Sequence, residues 1–196
     1  MGIAYRALSL MSLQPGTELL RPSQSLPDHV TPDSPALDAM TDLAQVSAAS
    51  IGPDANIATA EEHMRHAGVR LLFVQDAAHP LLGLVTLTDI KGERPLRVQR
   101  ELGVPRDEVR VRDIMTPAER FEVLSLNEVR AARIGDIVQT LKRTGRQHAL
   151  VGERTPQGPV IRGIFSASRI SRALGVPLET SGIAYTFAEL EVALSH

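Results

Sequence analysis

The sequence predicts an α+β fold made of one small unit used twice, on three observations. The stretch Gly83-Leu84-Val85-Thr86-Leu87-Thr88-Asp89 is echoed by Gly163-Ile164-Phe165-Ser166-Ala167-Ser168-Arg169. Upstream, Asp38-Ala39-Met40-Thr41-Asp42 is echoed by Asp113-Ile114-Met115-Thr116-Pro117. Between these anchors each half carries the same signals in the same order, a helical stretch and then a strand-like run. Agreement of order at every step is what a duplication leaves.

The elements follow in turn. Residues 14–35 hold Pro15, Pro22, Pro27, Pro32 and Pro35 among Ser, Asp and Thr, which reads as an extended arm. Ile57, Ala60 and Met64 fall at helical spacing, with Asn56 as the N-cap and Gly68 as the stop. The run 69–74 reads as a strand, 77–80 as a turn and 81–86 as a second strand, so Thr88 and Asp89 stand where a further helix opens. Pro95 interrupts that helix, and 96–102 resumes it as a connector closed by Gly103 and Pro105.

In the second half Ile134, Ile137, Val138 and Leu141 mark the helix and 147–151 the strand. Residues 153–159 read as a longer turn carrying Pro156, Gly158 and Pro159, and Ser168 as the N-cap of a helix over 169–174 that Gly175 ends. Phe187, Leu190 and Leu194 share one face of a short amphipathic helix within 185–194. The boundaries are therefore an arm over 1–35, a first unit over 36–92, a connector over 93–108, a second unit over 109–176 and an extension over 177–196.

A chain of 196 residues with 43% apolar content supplies a sizeable core. Two units of roughly 60–70 residues are each marginal alone, so they are expected to share an interface. A net charge of -2 provides no global field for nucleic acid or an anionic membrane. The lack of cysteine excludes disulfides, thiolate metal sites and cysteine nucleophiles. Apart from Lys91 and Lys142 the basic residues are arginine, which favours bidentate phosphate or carboxylate contacts, codon bias being the plainer explanation. No stretch approaches the ~20 apolar residues of a membrane helix. The first residues show no clear cleavage site, so a cytoplasmic location is expected.

The repeated motif carries the chemistry. A strand that turns into a helix one hydroxyl and one acid later displays both groups beside the free N–H groups of the helix end. A carboxylate accepts from two vicinal hydroxyls and the helix end attracts an anion, which suits a ribose and its phosphate. Asp-x-Met-Thr, a helix, a strand and Gly-h-h-Thr-x-x-Asp, present twice in register, resembles a pair of cystathionine-β-synthase (CBS) domains, the tandem called a Bateman module, over about residues 36–176. The resemblance implies two β-α-β-β-α units packed sheet to sheet about a pseudo-twofold axis. It also implies clefts for adenosine-containing ligands, namely AMP, ADP, ATP, S-adenosylmethionine or NAD.

By the same resemblance Thr86 and Asp89 hold the ribose in a first cleft, with Ala39, Met40 and Thr41 along the base and Arg70 and Leu71 lining the pocket. The matching positions of a second cleft are Ile114, Met115, Thr116, Gln147, His148, Ser166 and Arg169. Here the chain departs from the family, because a guanidinium has donors only and cannot accept a ribose hydroxyl. Three readings of Arg169 stand: first in rank, a site without ligand; second, an arginine reaching the phosphates of a nucleotide held by Asp89; third, a site for a more anionic ligand. One occupied site per chain is expected. Phe73 and Leu150 occupy the place where the family often has proline, so the strand is expected to persist.

Other signals carry less. His63 and His66 lie beside Glu61 and Glu62, but no third ligand follows at a fitting spacing and no metal site is expected. Arg94, Arg97, Arg100, Arg106, Arg110 and Arg112 alternate with acids, a salt-bridged surface rather than a nucleic-acid stripe. Ser166 and Ser168 lack a histidine–acid pair and there is no P-loop, so neither catalytic residues nor a required cofactor is expected. The expected function is a regulatory module that senses an adenine nucleotide and acts on a partner protein, as a homodimer. A ligand-free structural or oligomerisation module is the alternative, and an enzyme acting on a nucleotide ranks last.

Overall fold

The structure is a computed structural model that describes residues 12 and 23–178. The chain runs β1 (Thr41–Asp42), β2 (Ser50–Ile51), α1 (Ile57–Ala67), β3 (Leu71–Val74), β4 (Gly83–Thr86), α2 (Leu87–Lys91) and α3 (Arg94–Leu102). It continues through α4 (Val111–Ile114), β5 (Thr116–Pro117), β6 (Val123–Ser125), α5 (Leu126–Ala131), α6 (Ile134–Thr144), β7 (His148–Thr155), β8 (Gly158–Ser166) and α7 (Ala167–Leu174). The helix expected within 185–194 lies outside the described residues, as does most of the arm before residue 23.

Local chemistry fixes the ends of the helices. Asn56 caps α1 by accepting from the Thr59 amide at 2.8 Å, and Gly68 closes it in the left-handed conformation at φ 66°. Ile57, Ala60 and Met64 are buried on one face of α1, as are Ile134, Ile137, Val138 and Leu141 on α6. Pro95 stands in the first turn of α3, where the missing N–H is harmless, so it begins a new helix instead of breaking an old one.

The two sheets exchange their edge strands. One has the order β2-β3-β4-β5 and the other β1-β8-β7-β6. Thus β5, from the second Asp-x-Met-Thr stretch, pairs with β4 of the first half, Leu84 facing Thr116 and Gly83 facing Pro117. Reciprocally, β1 pairs with β8, Ile164 facing Thr41 and Gly163 facing Asp42. Both junctions have the same register. The motif glycines are explained by it, since a Cβ on Gly83 would collide with the Thr116 carbonyl and one on Gly163 would lie 2.6 Å from Met40 Sδ.

The cores follow the exchange rather than the linear boundaries. Ala36, Ala39 and Met40 are buried with α6, Phe165 and Ile170, in the core of the second half. Val98, Val109, Val111 and Ile114 are buried with Ile57, Met64 and Val85, in the core of the first. Between the sheets Leu71, Phe73 and Leu150 form a third buried cluster, so both strands do persist without the proline.

Two local expectations are corrected. The turn expected over 153–159 is mostly strand, because β7 and β8 stay paired to Thr155 opposite Gly158. Gly158 takes φ 124°, which lets the chain reverse within two residues. The last helix begins at Ala167 with Ser166 as its N-cap, not at Arg169 after Ser168.

Candidate functional site

The first motif builds a closed cap. Thr86 ends β4, and its hydroxyl oxygen accepts from the Asp89 amide at 3.2 Å. Asp89 Oδ2 in return accepts from the Thr86 amide at 2.9 Å and from the Thr86 hydroxyl at 2.7 Å. This reciprocal capping box starts α2. The other carboxylate oxygen, Oδ1, lies 3.1 Å from Arg94 Nη1. The same nitrogen donates to the Ile114 carbonyl at 2.7 Å and to Thr116 Oγ1 at 3.2 Å. Arg94 therefore ties the first motif to the segment entering β5.

The second motif is open by comparison. Ser166 makes no side-chain cap, and its Oγ lies 2.9 Å from Ser168 Oγ. Arg169 cannot supply the capping carboxylate that Asp89 supplies. It is half-buried and has no ion pair among the described residues.

The two motifs meet at a cavity of about 250 Å³ lined by Arg70, Leu87 and Thr88 from one half and Gln147, His148, Ser166 and Ser168 from the other. The Arg70 carbonyl accepts from the Leu87 amide at 3.0 Å, which fixes the strand start against the helix start. His148 lies within reach of two charges here. Burial pushes its pKa down, the Arg70 cation pushes further, and the Asp89 carboxylate only partly opposes, leaving it at about 4. His148 is therefore neutral at pH 7, one ring nitrogen donating and the other accepting.

The predicted residues come together in a different grouping from the sequence reading. Thr86 and Asp89 lie with Ile114 and Thr116, joined by Arg94, and with Met115, whose Sδ approaches Gly83. His148 faces Ser166 across the β7–β8 ladder and lines the shared cavity with Thr88. Ala39, Met40 and Thr41 are held instead on the opposite sheet, Met40 against Gly163 and Thr41 facing Ile164, on the strand that leads into Ser166 and Arg169. Leu71 faces Thr86 across the β3–β4 ladder with its side chain buried between the sheets, while Arg70 and Gln147 stay on the shared cavity. The cause is the strand exchange, which carries each Asp-x-Met-Thr segment to the other half's motif.

Two contributors escaped sequence reading. Arg94 looked like one more connector arginine; its place one turn beyond Asp89, beside a helix-starting proline, was the available signal. Asp42 and Arg162 form an ion pair that ties β1 to β8, with Asp42 only 7% exposed. Nothing in their sequence positions marks them as partners. His63 and His66 are both exposed on α1, and no group of three or more His, Cys, Asp or Glu among the described residues is arranged to hold a metal ion. No helix among them is long and apolar enough to cross a membrane. A larger cavity of about 940 Å³ opens elsewhere, but no residue of either motif lines it.

Comparison with known proteins agrees with this geometry at the level of fold. The family model described as CBS domain matches residues 40–94. Comparison with curated proteins finds no match. Among solved structures, an uncharacterized conserved protein from Pyrococcus horikoshii is similar at 21% identity and a TM-score of 0.52, covering 80% of this chain and 99% of that one. The structure of CBSX2 in complex with AMP is similar at 22% identity and a TM-score of 0.49, covering 71% of this chain and 95% of that one.

Proposed function

We propose that this chain, which matches the CBS-domain family over residues 40–94 and repeats the same elements and register in its second half, is a regulatory module of two CBS domains binding an adenine nucleotide in the cleft around Asp89. The observation that carries the proposal is the Asp89 carboxylate, half-buried beside a cavity that both motifs line. Each carboxylate oxygen offers two lone pairs. Oδ2 spends both on Thr86, whereas Oδ1 spends one on Arg94 and keeps one for a ribose hydroxyl. Gripping both vicinal hydroxyls would require Arg94 to move aside. The cations Arg70 and Arg94 suit the phosphates, and neutral His148 can donate to a base or sugar edge without repelling either cation.

AMP, ADP and ATP are the first ligands to test, with S-adenosylmethionine and NAD after them. One site per chain is proposed, since Arg169 offers no acceptor to a ribose. A homodimer and a partner protein whose activity follows ligand occupancy complete the reading; the module itself is regulatory and not catalytic. A second reading, a CBS pair that works as a structural module without ligand, is favoured by one observation: Thr86 and Arg94 both engage the Asp89 carboxylate.

Thermal unfolding separates the two. A ligand at 100 times its dissociation constant adds about 2.7 kcal/mol of stability, a readily measured shift. The regulatory reading expects that shift with at least one of the five ligands at millimolar concentration. No shift with any of them leaves the structural reading. Arg169→Asp decides the role of that residue: unchanged ATP affinity supports a site without ligand, whereas loss of ATP but not adenosine binding supports a phosphate contact.

A further inference from the structure

The two halves differ most at the ends of their hairpins. In the first half β3 and β4 stop at Val74 opposite Gly83. In the second, β7 and β8 pass the equivalent pair, Val151 opposite Gly163, shift register between Val151 and Gly152, and continue through four further pairs to Thr155 opposite Gly158. The extension is one wall of the cavity of about 940 Å³, which lies within the range of small-molecule sites. Phe73, Leu81, Phe121, Leu124, Val160 and Ile161 give that cavity apolar surfaces from both halves. Val160 and its neighbour Val123 are 43% and 45% exposed, among the few large apolar side chains left uncovered.

Charge on this cavity is one-sided. Glu153 is spoken for by Arg162 at 3.3 Å and Arg130 at 3.9 Å. Arg154, next along the strand, lines the cavity, is exposed, and has no ion pair among the described residues. An apolar hollow with a single unneutralised cation at its edge complements a molecule with an apolar body and one negative end.

We propose that the cavity bounded by the β7–β8 extension is a second ligand site, separate from the cleft at Asp89, that takes a small amphipathic anion such as a medium-chain carboxylate, its apolar body against Phe73, Phe121 and Val160 and its charged end at Arg154. The site exists because only one hairpin is extended, so each chain has one.

Isothermal titration of the full chain with decanoate, decylamine and decanol, each below its micelle concentration, tests this. Decanoate is expected to bind saturably, one per chain, and decylamine more weakly than decanol. Arg154→Ala is expected to weaken decanoate about twofold to fivefold, the range of an exposed ion pair, while leaving decanol unchanged. Val160→Trp fills the hollow from an exposed position and is expected to abolish binding of both, with its thermal unfolding unchanged as the control for folding. Asp89→Asn is expected to leave decanoate binding intact, which separates this site from the nucleotide cleft. The proposal is overturned by no saturable decanoate binding, by equal affinity for decanoate and decylamine, by an Arg154→Ala variant with unaltered preference, or by loss of decanoate binding in Asp89→Asn.

Discussion

Asp42 and His148 respond to pH in the same direction for different reasons. Burial acts to raise the Asp42 pKa, but the Arg162 guanidinium, the Ala44 amide and the Gln45 side chain hold the carboxyl below its ordinary value. Its stabilisation is present above the ordinary carboxylate value and is lost as pH falls through the lowered folded one. Asp42→Ala leaves Arg162 with Glu153 alone. It is expected to cost about 2–3 kcal/mol in urea unfolding at pH 7. His148 takes a proton at its ordinary value of 6.5 when unfolded but only near 4 when folded. Stability is therefore expected to fall as pH drops from about 6.5 toward 4, by no more than about 3 kcal/mol. His148→Gln should flatten that part of the pH profile; an unchanged slope would place the titration elsewhere. Gly83→Ala forces a Cβ onto a backbone carbonyl and is expected to destabilise by about 1–3 kcal/mol, more than Gly163→Ala, which meets only the flexible Met40 side chain.

Helices carry their own start and stop signals, which is why α1 and α6 are legible in the sequence and the hairpin is not. Asn56, Gly68 and the Ile57–Ala60–Met64 spacing act within one turn of where they are read. Asn56→Ala is expected to cost about 1 kcal/mol, seen as a lowered urea midpoint at constant slope. Pro156, Gly158 and Pro159 have the composition of a long turn, yet strand pairing continues across them because Gly158 accommodates the reversal and Thr155 Oγ1 donates to the Gly158 carbonyl at 2.8 Å. Asp89 is also one of these local helix signals. It caps α2, so Asp89→Ala would lower stability whether or not a nucleotide binds, and Asp89→Asn, which keeps an acceptor for Thr86, is the cleaner probe.

At the scale of the whole molecule the two halves depend on each other through exchanged segments. The first half's sheet is completed by β5 and its core by Val98, Val109, Val111 and Ile114. A fragment of residues 1–92 lacks all of these and is expected to show the circular dichroism of an unfolded chain. A folded fragment would mean that the exchange is dispensable. The duplication was legible because it is written in linear order. The exchange was not, since alternating apolar residues say that a strand forms without saying which sheet receives it. That is why the candidate residues were grouped along the chain in a way the strand pairing does not keep: Met40 and Thr41 lie beside Gly163 and Ile164, and Met115 and Thr116 beside Gly83 and Leu84.

Asp89 is proposed to hold a nucleotide at the junction of the halves. Isothermal titration of the wild-type chain and of Asp89→Asn with AMP and ATP tests it most directly. Saturable binding of at least one of them is expected, one per chain, weakened by at least about tenfold in the variant through loss of a charged hydrogen bond. Equal affinity in the two proteins, or no binding to the wild type, would contradict it.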